Sequence, residues 1–287
     1  MFLVRRSREE TPAANARSGV TPRRILVGVL LAVVGLGSVL DATAFAVIVL
    51  IIALSSLREL ARLTSRTGQE LVLPVAVPAV ALYVVLARLN LLHAWEEALL
   101  AATTVAALAV SLLGSRLGYL ARSAYTVLGV LYLGKLLSYF VTLRDEPHIG
   151  AYITALAIVL IAMTDISCMI VGTTIGRTPL TSISPKKTAE GAIGGLLIVT
   201  LIGIAATFLP FARAPWWHGA LVGAVTSLAA QAGDLVESAL KRDAALKDTG
   251  TALFGHGGWL DRFDSYTFGG VAFYGMLHVL RYLPSSL

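Results

Sequence analysis

Long apolar runs separated by short polar ones make up most of this chain. They fall near 25–40, 44–57, 71–89, 98–113, 123–143, 150–172, 191–211, 217–240 and 266–283. As helices, these runs are long enough to cross all or most of a hydrocarbon core of about 30 Å. An all-α polytopic membrane protein with nine transmembrane helices is therefore expected. The first two runs are short and parted only by Asp41-Ala42-Thr43, so one broken or re-entrant element, and a count of eight, is the alternative. Against this apolar background two stretches stand out, about 173–190 and 241–265, where charged, hydroxyl and glycine residues crowd together.

Composition agrees with the pattern. Hydrophobic residues make up 56% and charged residues 14% of the 287, and the mean hydropathy is +0.78, well outside soluble usage. The net charge of +6 does not point to nucleic acid, because the basic residues come in short clusters between apolar runs. With the N-terminus inside, 18 of the 23 Lys and Arg residues fall in inner segments. Arg88, Arg144, Arg213 and Arg281 are left outside and Lys135 within a helix. That bias follows the positive-inside rule and favours nine spans, and Trp95, Trp216 and Trp217 fall at outer boundaries, where indole rings settle. The Arg-rich segment 1–24 is expected to be a disordered cytoplasmic tail rather than a signal peptide. It is followed by N-terminal transmembrane helices (25–145) and a C-terminal catalytic transmembrane region (146–287). The expected location is a bacterial inner membrane, with the chemistry facing the cytoplasm. The single cysteine, Cys168, excludes an intrachain disulfide.

Within the polar stretches, Gln231, Asp234 and Ser238 share one face of the eighth run, which continues to Lys241. A carboxylate in a membrane helix needs a partner and marks a pathway or a site. The plain alternative is an Asp paired with Lys or Arg to hold helices together. Asp261 and Asp264, three apart, share a face if the ninth helix reaches back to them. With Asp234 they would offer oxygen ligands to Mg²⁺, with room for a second ion; alone they would read as solvated loop acids paired with Arg262 and Lys247. Gly255-His256-Gly257-Gly258 gives little bulk and much backbone N–H, suited to close approach of phosphate, although a histidine in a glycine turn is as often structural. The segment from Ser182 to Gly191, with Ser184, Lys186, Lys187 and Thr188, places cations and hydroxyls at a helix start, where anions are attracted; the alternative is a positive-inside anchor. Gly172 to Thr178 lacks the spacing, lysine and preceding strand of a Walker loop. Asp165 is a further intramembrane acid, and a Lys135–Asp165 pair is one way to neutralise both. Gly191/Gly195 and Gly219/Gly223 have the spacing of closely packed helices.

Taken together these residues resemble the phosphatidate cytidylyltransferases (CDP-diacylglycerol synthases). The family signature S-x-x-K-R-x4-K-D-x-G-x4-G-H-G-G-x-x-D-R-x-D is matched by Ser238, Lys241, Arg242, Lys247, Asp248, Gly250, Gly255, His256, Gly257, Gly258, Asp261, Arg262 and Asp264. Upstream, Gly233-Asp234-Leu235 with Glu237-Ser238 resembles G-D-L-x-E-S, Ser184 to Gly191 resembles S-P-x-K-T-x-E-G, and Asp165 to Gly176 resembles D-x6-G-x3-G. The resemblance covers roughly 165–265. Phe254, Met169 and Gly269-Gly270 depart from the family's usual proline, aromatic and proline, without removing a ligand. The resemblance implies cytidylyl transfer from CTP to phosphatidic acid, with release of pyrophosphate, in a membrane enzyme expected to be a homodimer. It implies metal ligation by Asp234, Asp261 and Asp264, and catalytic roles for Asp234, Asp261, Lys187, Lys241 and Arg262. Substrate contacts would come from Ser184, Lys187, Thr188, Lys241, Arg242, Lys247, His256, Gly257, Gly258 and Asp165. The rivals are a CTP-dependent polyprenol or phytol kinase, which would release CDP, and a transporter using Asp165, Asp234 and Lys135 as a relay.

Overall fold

The computed structural model describes residues 33–68, 70–114, 117–209, 214–246 and 258–283. Helical residues 33–38 lead through a turn to α1 (Ala42–Arg66), whose first N–H groups are capped by Asp41, its Oδ1 accepting from the Ala44 N–H at 2.7 Å. Then follow α2 (Leu73–Arg88), α3 (Leu92–Ser111), α4 (Tyr119–Arg144), α5 (Gly150–Ile175), α6 (Ala189–Thr207), α7 (Trp216–Asp243) and α8 (Leu260–Val279). No strand occurs among the described residues; the nearest thing is an isolated bridge between Pro179 and Thr188.

Six of these helices, α1 and α3 to α7, are long and apolar enough to cross a membrane. The other two fall outside that class for different reasons. Pro occupies the first turn of α2 and Pro78 its interior, and the helix has 16 residues, about 24 Å at 1.5 Å per residue. Helix α8 has length enough but begins with Asp261, Arg262 and Asp264. The turn between the first two apolar runs lies at 39–41, and α1 then continues to Arg66, so Arg58, Arg62 and Arg66 stand on a helix rather than in a loop.

Consecutive antiparallel helices bring the C-terminal ends of α1, α5 and α7 together with the N-terminal ends of α6 and α8. The other end of the bundle is closed differently. Arg88 bonds Thr43 Oγ1 and pairs with Asp145 at 3.5 Å, and Arg144 donates to the carbonyls of Val39 and Leu40. The two ends lie about 24 Å apart along α1, measured from Thr43 to Glu59 at 1.5 Å per residue.

Helix α4 contains a π-helical stretch, Val130–Lys135. Its last residue, Lys135, pairs with Glu96 of α3 at 3.6 Å. This corrects the expectation of a Lys135–Asp165 pair: Glu96 supplies the counter-charge, and Asp165 accepts instead from the Ser265 hydroxyl.

Close contact between α6 and α7 depends on glycine. Gly203 and Gly219 face each other so tightly that a Cβ on either would overlap the other's carbonyl oxygen, and Gly223 lies against Val199. In a bilayer, where no water is expelled from between helices, such backbone approach is a main source of association.

Candidate active site

Asp234 and Glu237 are three residues apart on α7 and so share a face. Asp264, in the first turns of α8, comes against that face. One carboxylate oxygen from each of the three lies within 4.8 Å of the others. Glu237 is 1% and Asp264 5% exposed. The Oε2 of Glu237 lies 2.5 Å from Lys241 Nζ. Three carboxylates held this close repel one another unless a cation balances them. Lys187 Nζ lies 2.5 Å from Asp234 Oδ2 and Lys241 from Glu237, which leaves the group still acid-rich. Hard oxygen donors at this spacing, two of them buried, fit a divalent cation such as Mg²⁺.

Gly233 makes the α7–α8 approach possible. A Cβ there would stand 2.6 Å from the carbonyl oxygen of Asp264 and 3.3 Å from the Phe268 Cβ, so only glycine lets the backbone carrying Asp264 come this near to α7.

The remaining sequence-derived candidates are placed as follows. Asp261 lies one turn before Asp264 and borders the same group: its Oδ1 takes a bond from Lys241 Nζ at 3.0 Å, its Oδ2 accepts from the Gly258 N–H at 2.6 Å, and its carboxyl group stands within hydrogen-bonding reach of that of Glu237. Glu237, which the sequence analysis gave no ligand role, joins Asp234 and Asp264 in the close group, with Asp261 beside it. Asp165 accepts from Ser265 Oγ at 3.1 Å, and the charges of Asp234, Lys187 and Arg262 act on it. Arg242 donates to the Ile183 carbonyl, tying α7 to the 176–188 loop. Thr188 caps α6 by accepting from the Gly191 N–H at 3.1 Å. Ser184 is half-buried and Lys186 exposed. Lys247, His256 and Gly257 lie outside the described residues.

The loop that presents Lys187 is locally fixed. Glu190, in the first turn of α6, accepts from the N–H groups of Arg177 and Thr178 and from the Thr178 hydroxyl. Together with the Pro179–Thr188 bridge, these bonds close residues 177–190 into a ring. Lys187 therefore reaches Asp234 from a constrained backbone. Cation, acid group and open flank can together hold a polyphosphate beside a lipid: Ile166, Met169 and Ile170, next to Asp165 on α5, are exposed apolar side chains.

A model of the cytidylyltransferase family matches residues 21–280. The chain is 46% identical over 124 residues to a phosphatidate cytidylyltransferase of Synechocystis, covering 42% of this chain and 41% of the relative. It is 38% identical over 145 residues to that of Bacillus subtilis, covering 50% and 54%. It is 35% identical over 185 residues to the chloroplastic phosphatidate cytidylyltransferase 4 of Arabidopsis thaliana, covering 55% and 46%. The chain thus spans about half the length of the curated relatives it matches.

Proposed function

Because the chain belongs to the cytidylyltransferase family, we propose that it transfers the cytidylyl group of CTP to phosphatidic acid, giving CDP-diacylglycerol and pyrophosphate. The observation that carries this reading is the Asp234–Glu237–Asp264 group, with Lys187 in contact, at one end of a bundle of membrane-length helices. A phosphate oxygen of the lipid attacks the α-phosphorus of CTP, the bond from that phosphorus to the bridging oxygen breaks, and the electron pair leaves with pyrophosphate. The lipid phosphate is already a nucleophile, so no covalent enzyme intermediate is required. The protein's task is to juxtapose two polyanions and to balance the charge that grows on the leaving group.

Asp234, Glu237 and Asp264 would hold Mg²⁺, which neutralises phosphate charge when bound. Lys187, Lys241, Arg242 and Arg262 are the cations available to substrate phosphates, and Lys187 exchanges its contact with Asp234 for one with phosphate when CTP arrives. Asp261 keeps Lys241 aimed at the acid group. The positive-inside bias of the sequence supports placing this end at the cytoplasm, with the full set of apolar runs in the membrane. The apolar flank beside Asp165 supports sideways entry of the lipid. Its chains would then stay in the bilayer, avoiding a cost of about 0.8 kcal/mol per CH₂.

Turnover with CTP carrying a radiolabel on the α-phosphorus tests the reaction. The label should enter the lipid and unlabelled pyrophosphate should be released. Transfer from the γ-position with release of CDP would instead identify a lipid kinase, and no metal- and CTP-dependent turnover would favour a transporter.

The two neighbouring lysines separate substrate contact from membrane anchoring. Lys187→Ala is expected to raise the half-saturating CTP or phosphatidate concentration by about 10-fold or more, the scale of a lost charge-assisted hydrogen bond. Lys186→Ala, at an exposed position, should change it little. Steady-state kinetics on both variants provide the check, and equal small effects would make both lysines topology signals.

A further inference from the structure

Glu59 belongs to α1, far along the chain from every signature residue, yet it reaches the acid group's supporting structure. It is 3% exposed, and its Oε2 accepts from the backbone N–H of Leu260 at 2.9 Å in a buried bond. Leu260 is the first residue of α8, and no side chain of the flanking residue Trp259 caps that helix. Helix N-termini leave N–H groups without intrahelical partners and carry the positive end of the helix dipole. A buried carboxylate costs several kcal/mol unless such partners compensate it. An apolar side chain of similar size would pack between α1 and α8 without that cost, so the acid is explained by what it holds.

The bond fixes the first turn of α8, and that turn carries the site. Asp261 follows Leu260 directly and meets Lys241; Asp264 and Ser265 come one turn later and meet the α7 acids and Asp165. Each residue of an α-helix turns by about 100°, so unwinding or slipping α8 by a single residue would carry Asp264 off the face of Asp234 and Glu237.

We propose that Glu59 is a positioning residue, which anchors the start of α8 to α1 so that Asp264 completes the carboxylate group. This rests on the reading of that group as the metal site of the proposed reaction. Glu59→Met keeps the side chain's bulk and removes the acceptor; Glu59→Gln keeps an acceptor and removes the charge. Both should fold: in Glu59→Met the Leu260 N–H left without this acceptor costs about 1–3 kcal/mol, offset in part because no carboxylate is buried, and Glu59→Gln keeps the bond.

The full chain in detergent is compared with both variants by Mn²⁺ binding, by hydrogen exchange of the 258–265 backbone, and by the Mg²⁺ dependence of turnover. Glu59→Met is expected to weaken Mn²⁺ binding by about 10–100-fold, the scale for groups that orient metal ligands, and to speed exchange at the start of α8, with little change in melting temperature. Glu59→Gln should fall between it and the unaltered protein. Unchanged Mn²⁺ affinity and exchange in Glu59→Met would overturn the proposal, as would loss of folded protein in both variants, which would make Glu59 a plain stability residue. If the unaltered protein binds Mn²⁺ and shows the expected variant series yet turns over no CTP, the proposed reaction fails while the positioning role stands.

Discussion

Glu237→Gln is expected to lower turnover by at least about 10²-fold, the scale on which preorganised charge acts in a site closed to water, while leaving the protein folded. Glutamine has nearly the same shape, so the packing around this 1% exposed side chain is preserved, and only the charge is lost. The carboxylate lies on the same α7 face as Asp234, with an oxygen within 4.8 Å of one of Asp264, and Lys241 stands 2.5 Å from its Oε2. The same loss is expected for Asp234→Asn and Asp264→Asn, with a raised Mg²⁺ requirement in all three. Asp261→Asn should behave differently. Its carboxylate serves Lys241 and the Gly258 N–H, so its main effect is expected on substrate affinity, with the Mg²⁺ requirement less altered. Titrating Mg²⁺ against turnover in the four variants separates the roles. Near-normal activity in Glu237→Gln, with a large metal defect in Asp261→Asn, would make Asp261, and not Glu237, the third ligand.

The helices were legible because membrane crossing imposes a length and a composition that few other structures share, and eight of the apolar runs coincide with helices in the described residues. Their ends were less legible. Asp261 and Asp264 sit inside α8 because its first turn is held by partners outside the helix, among them Glu59. Glu237 shows what periodicity could and could not deliver. Its spacing from Asp234 puts both on one face by helical period alone, but nothing in that period says that α8 brings its own carboxylates to that face. Lys135 is similar: the cost of a charge at mid-helix was plain in the sequence, whereas the identity of its partner, Glu96, depends on how α3 lies against α4. Glu190 had been visible only as part of a motif; its role in closing the Lys187 loop depends on the position of Arg177 and Thr178 across that loop.

Gly233→Ala should cost about as much activity as removing a ligand, although it touches no charge. The added Cβ would meet the Asp264 carbonyl oxygen at 2.6 Å, and a helix backbone cannot rotate aside as a side chain can. Helix α8 must therefore move from α7 by a large fraction of an ångström, carrying Asp264 away from Asp234 and Glu237. A misplacement of about 1 Å costs about 10²-fold where geometry has been preset. Overpacking of this kind also destabilises by about 1–3 kcal/mol, partly offset by the better helix propensity of alanine, about 1 kcal/mol. Gly275→Ala provides the control, because it lies in α8 with nothing within 4 Å of the new methyl group and gains the same propensity. Turnover and thermal unfolding of the two variants should part company: Gly275→Ala fully active and at least as stable, Gly233→Ala folded and nearly inactive. If both retain full turnover, the close contact of α7 and α8 is a matter of packing only, and the separation of the carboxylates must be set elsewhere.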